Sequence, residues 1–68
     1  MATAIVKNNI QKFRDAQDIN QEQMAADLEI GRTYLSKLEN QKFAPGPGLM
    51  ARICKYLGKP LGDVFYVE

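Results

Sequence analysis

Apolar residues recur three and four positions apart in short runs, and each run stops after two or three turns. Ile10 and Phe13, with Val6 and Ala16 beside them, make the first stripe. Asn8 is placed to cap that helix, with Gln11 three residues on completing a capping-box pattern. Residues 18–20 break it. Asn20 is an N-cap for a second helix over residues 21–28, where Glu22 in the first turn complements the helix dipole. Met24, Ala25 and Leu28 form its apolar side. The rhythm then halts at Glu29, Ile30 and Gly31 and resumes out of phase with Leu35 and Leu38, in a third helix over residues 32–40. Pro45 and Pro47 make a connection, because each pushes the residue before it into extended geometry. Pro47 suits the first turn of a fourth helix and Gly58 its end. Leu49, Met50, Ile53, Cys54 and Leu57 lie on one side of it. Pro60 opens a short fifth helix through Asp63, and Val64-Phe65-Tyr66-Val67 has β-branched and aromatic character and reads as extended.

The phase break at residues 29–31 is what two helices joined by a tight turn require when each faces one shared core. Ala25 is small where they would cross, Ile30 fills the corner, and Gly31 starts the next helix without steric hindrance. Taken alone, this pattern fits an ordinary αα-hairpin as well as a helix-turn-helix. Met24, Met50, Ile53 and Cys54 are assigned to the core.

Sixty-eight residues allow one domain, residues 1–68, with extensions at 1–7 and 64–68 around the helical body. A chain of this size buries only ~60% of its unfolded surface and gains from dimerisation. No apolar stretch approaches the ~18 residues of a membrane span, and the first residues do not read as a signal peptide. A single cysteine excludes an internal disulfide and fits a reducing cytoplasm. With no histidine and no Gly-rich phosphate loop, neither an enzyme nor a cofactor or metal site is expected. Net charge is only +1, but it is unevenly spread. Residues 15–29 carry Asp15, Asp18, Glu22, Asp27 and Glu29 with no cation. Residues 30–59 carry Arg32, Lys37, Lys42, Arg52, Lys55 and Lys59 against Glu39 alone. That basic stretch suits a polyanion, or a solvated surface with scattered lysines.

The segment NQEQMAADLEIGRTYLSKLEN resembles the Cro/C1-type (XRE) helix-turn-helix family of phage, plasmid and bacterial repressors. Gln21, Ala25, Ile30, Leu35, Leu38 and Glu39 fall in register with it. Pro45, the fourth helix ending KYLG, and PLGDVF extend the likeness over roughly residues 8–65. The chain departs from the family where Glu29 stands for a frequent Gly, Gly31 for Ser or Thr, and Gln41 for Gly. The resemblance implies an all-α fold, a five-helix lambda-repressor-like DNA-binding domain with the helix-turn-helix at residues 21–40. Short terminal β-strands would form a small antiparallel sheet.

The same resemblance implies a sequence-specific regulator of double-stranded operator DNA. Its third helix would enter the major groove and present Arg32, Thr33, Ser36 and Lys37 to bases. Arg32 matches the paired acceptors of guanine, and Thr33 offers a hydroxyl and a methyl. Gln21, Tyr34, Asn40 and Lys42 match positions facing phosphates; Tyr34 could equally pack on the protein surface. Arg14 and Glu39 match a structural salt bridge. A repressor, an antitoxin with a protein partner, and a restriction-modification controller all fit the sequence, and an anti-repressor is a further conceivable partner. A homodimer on a palindromic site is expected, through Leu61, Val64, Phe65, Tyr66 and Val67, with residues 3–6 pairing with 64–67. The alternative is a tail folded onto its own core, with dimerisation on DNA only.

Overall fold

The computed structural model describes residues 5–68. In chain order, β1 is Val6–Asn8, α1 Ile10–Ala16, α2 Gln21–Leu28, α3 Arg32–Glu39, α4 Pro47–Leu57, α5 Leu61–Val64 and β2 Phe65–Val67. The five expected helices are present, with a two-stranded antiparallel sheet joining the chain's ends.

Among the described residues, α1 to α4 share one kind of C-terminal cap. Asp18, Glu29, Gln41 and Gly58 adopt φ of 56°, 58°, 64° and 68°. In each case the next residue reaches back to the last turn: Ile19 N–H to Arg14 C=O, Ile30 to Ala25, Lys42 to Lys37 and Lys59 to Cys54. This is the Schellman arrangement, which satisfies carbonyls that a helix end leaves unpaired. Glycine suits the left-handed residue best, yet only Gly58 is one. The departures at Glu29 and Gln41 thus leave the turn geometry intact. Gly31 does not use its conformational freedom, because it caps α3 at φ −72°, ψ 144°. The positive φ of the turn falls two residues earlier, on Glu29.

The start of α1 differs from expectation. Asn9, with no side-chain cap, precedes the helix, and Asn8 belongs to β1. Asn8 Oδ1 still accepts from Ile10 N–H at 3.2 Å, and its Nδ2 donates to Leu38 C=O at 2.9 Å. Gln11 takes no part in capping, because the helix begins one residue late for that pattern. Asn20 caps α2 as expected, accepting from Gln23 N–H at 2.7 Å.

Ile10, Met24, Leu35, Leu38, Ile53 and Val64 are fully buried and bring every helix to one core. Ala25 is buried in that core, and Ile30 packs against it half-buried. Met50, expected inside, is only half-buried, as is Leu49, because Ile53, Cys54 and Leu57 carry the buried side of α4. The strand register is Val6↔Val67, Lys7↔Tyr66 and Asn8↔Phe65. The predicted pairing of residues 3–6 is therefore displaced toward Asn8, and positions 3 and 4 lie outside the described residues. Two of the five expected interface residues have side chains packed in the chain's own core. Val64 and Phe65 are 0% and 7% exposed in the chain's own core, whereas Leu61, Tyr66 and Val67 are exposed.

Candidate nucleic-acid interface

The third helix is built to hold one side still and leave the other in solvent. Leu35, Leu38 and Glu39, spaced three and four apart, are buried. Arg32, Thr33 and Lys37 are exposed and Ser36 is half-buried. A helix advances about 100° per residue, so positions 32, 33, 36 and 37 fall on one side. The four residues expected to face bases are thus together. Their orientation is fixed by leucines that cannot leave the core without opening it.

The C-terminal end of α3 is anchored by ion pairing. Arg14 Nε donates to Glu39 Oε2 at 2.8 Å and Arg14 Nη2 to Glu39 Oε1 at 2.9 Å, a bidentate pair. Arg14 Nη1 also donates to Ile19 C=O at 2.9 Å. The Glu39 hydrogen bonds hold the guanidinium pKa above its usual value, against burial. The first residue of α2 joins the network, since Gln21 Nε2 donates to Glu39 Oε1 at 3.0 Å. An amide nitrogen carries two hydrogens, so one ties α2 to the end of α3 and the second is not used in that bond. Among the described residues, every buried side-chain nitrogen and oxygen has a partner.

Tyr34 packs on the protein surface and stays partly open to solvent. Its ring lies 4.9 Å from that of Phe43, at 56°, yet it remains 41% exposed. Asn40 and Lys42 are exposed on either side of Gln41, beyond the end of α3. Lys42 is held through its backbone N–H to Lys37 C=O.

The sequence reading missed what Gln41 does. Its Oε1 accepts from Asn8 N–H at 3.0 Å and its Nε2 donates to Asn8 C=O at 3.0 Å. The side chain copies a strand partner, and so joins the loop after α3 to β1. No periodicity marks such a bond; the only signal was a non-glycine at a glycine position. A second unforeseen contact joins α2 to α4. Tyr56 O–H donates to Asp27 at 2.6 Å, and Arg52 donates to Leu28 C=O. These residues and Lys55 line an open cleft of about 450 Å³. Burial and then the Asp27 bond push the Tyr56 pKa up to about 12, while that bond and one from Gln23 lower that of Asp27. Among the described residues no acidic, Cys or His cluster could hold a metal, and no helix is long and apolar enough to cross a membrane.

Comparison with known proteins agrees with this geometry. The family described as Helix-turn-helix matches residues 10–64. An uncharacterized HTH-type transcriptional regulator of Methanocaldococcus jannaschii is 29% identical over 63 residues, covering 93% of this chain and 96% of the relative. Two solved structures share the fold. A candidate DNA-binding protein from Bacteroides fragilis superposes with a TM-score of 0.82 at 11% identity, over 90% of this chain and 98% of that one. The transcriptional regulator VanUg gives a TM-score of 0.80 at 17% identity, over 100% and 91% of the two chains. With most of its length matched by the family and its two central helices set as that family requires, the chain belongs to the helix-turn-helix family of DNA-binding transcription regulators.

Proposed function

We propose that this protein is a sequence-specific repressor that binds a palindromic double-stranded operator as a homodimer in the cytoplasm. The observation that carries the reading is α3. Its inner side is fixed by Leu35, Leu38 and the Arg14–Glu39 pair, and its outer side presents Arg32, Thr33, Ser36 and Lys37 together. In the major groove, Arg32 would donate both arms of its fork to guanine, and Thr33, Ser36 and Lys37 would meet neighbouring base edges. Gln21, Tyr34, Asn40 and Lys42 would bind phosphates and set the helix's register on the duplex. No cofactor enters the reading. Repression follows by occupancy, since a dimer on a promoter excludes other proteins from the same groove.

Selection from a random duplex library tests this. The expected product is an inverted repeat with half-sites about one helical turn, ~34 Å, apart. A reporter carrying that site should be silenced by the protein. Enrichment of no sequence, or of a lone half-site, would overturn the operator reading; activation of the reporter would overturn repression.

A further inference from the structure

Four of the exposed large hydrophobic residues gather at the terminal sheet and the helix before it: Ile5, Leu61, Tyr66 and Val67, at 54%, 55%, 40% and 66%. The backbone there has a matching asymmetry. Asn9 N–H donates to Val64 C=O at 2.7 Å and Glu68 N–H to Ile5 C=O at 3.0 Å, which brackets the ladder. Antiparallel pairs alternate between bonded and non-bonded, so Lys7↔Tyr66 is the pair that exchanges hydrogen bonds. Val6, Asn8, Phe65 and Val67 therefore turn their backbone groups outward. On the β1 side, Gln41 caps both groups of Asn8. On the β2 side, Phe65 N–H is spent on Leu61 C=O. Among the described residues, Phe65 C=O and both groups of Val67 remain on β2, and those of Val6 on β1.

We infer that a second copy of this chain pairs antiparallel at β2, about a two-fold axis between the two Tyr66 residues. This gives the dimer of the proposed function its surface and rests on that reading only for its consequence on DNA. A Tyr66-centred register needs Val67 N–H of each copy to donate to Phe65 C=O of the other. Both are among the groups left without a partner, and no others are required. Gln41 occupies the Asn8 end of β1, leaving Val6 alone open there, so pairing at β2 gives a four-stranded sheet in the order β1-β2-β2-β1. Each Val67 is laid beside Phe65 of the other copy and extends that copy's core, and the two Tyr66 rings cover one another.

Crosslinking of the free full-length chain tests the register. Across a non-bonded antiparallel pair the Cα atoms lie ~4.5 Å apart, within disulfide range. Under mild oxidation, Tyr66→Cys should give a covalent dimer. Lys7→Cys should not, because three strand spacings of ~4.8 Å separate the two copies of that position. Wild type, with Cys54 buried, should also stay uncrosslinked. Val67→Pro removes only an outward N–H and should raise the dimer Kd at least ~10-fold in sedimentation, with helical content unchanged. Val67→Thr, which keeps the N–H, should leave it dimeric. Wild type monomeric at micromolar concentration, Tyr66→Cys failing to crosslink, or Val67→Pro remaining fully dimeric would each overturn the inference. All are read without DNA, so a dimer that bound no duplex would sink the functional reading alone.

Discussion

Replacing Arg14 with methionine isolates the network that holds the end of α3. Methionine keeps the apolar stem and removes the charge. Glu39, with a side chain 3% exposed, would lose both guanidinium bonds and keep only Gln21. Ile19 C=O would lose its donor as well. Breaking a buried pair from one side costs ~3–5 kcal/mol, because a charge is left without compensation. A domain of 68 residues is stable by only ~3–10 kcal/mol in total. At ~4–8 °C per kcal/mol for this size, Tm should fall by ~12 °C or more. Thermal unfolding followed by circular dichroism at neutral pH measures it. The double variant Arg14→Met/Glu39→Met leaves no unpaired charge and should be more stable than Arg14→Met by ~1 kcal/mol or more. A single variant within ~4 °C of wild type, or a double variant no more stable than the single, would refute the reasoning.

Glu29→Gly should raise stability by ~1 kcal/mol, because φ of 58° strains an exposed residue with no side-chain bond to lose. Gln41→Gly relieves the same strain but loses the two bonds to Asn8, so denaturant unfolding should show it no more stable than wild type, and Gln41→Ala less stable still. The Tyr56 phenol should titrate near 12, read from phenolate absorbance, and stability present below pH ~10 should be lost as pH rises toward 12, since the unfolded chain releases that proton first. Asp27→Asn should lower that midpoint only in part, because burial is the larger cause. Lys42→Ala should weaken all duplexes alike and flatten the slope of log K against log salt by ~0.9.

Much of this molecule was legible because its helices announce their own ends. Asn20, Pro47 and Gly58 stand where capping chemistry puts them, and the phase slip between Leu28 and Leu35 marks the turn. The outward residues of α3 came from the family resemblance, and the buried positions of Leu35 and Leu38 agree with them. What stayed hidden depends on contacts between residues distant in sequence. Asn8 looked like a cap because its side chain does reach Ile10 N–H, but Gln41, 33 positions away, holds its backbone as strand. Gln21 read as a phosphate ligand with free ends; its tie to Glu39 needs the fold. Val64 and Phe65 read as spare apolar surface because a short tail has no period to say which side faces in, and the end of α5 and the start of β2 turn them into the core.

In the proposed function, α3 reads bases through Arg32. The direct measurement is the ratio of affinities for the selected operator and a scrambled duplex, at one salt concentration, for wild type and Arg32→Ala. A lost bidentate contact of ~1–3 kcal/mol should shrink that ratio ~5- to 150-fold while the scrambled duplex binds nearly as before. A ratio unchanged within a factor of two would contradict the account.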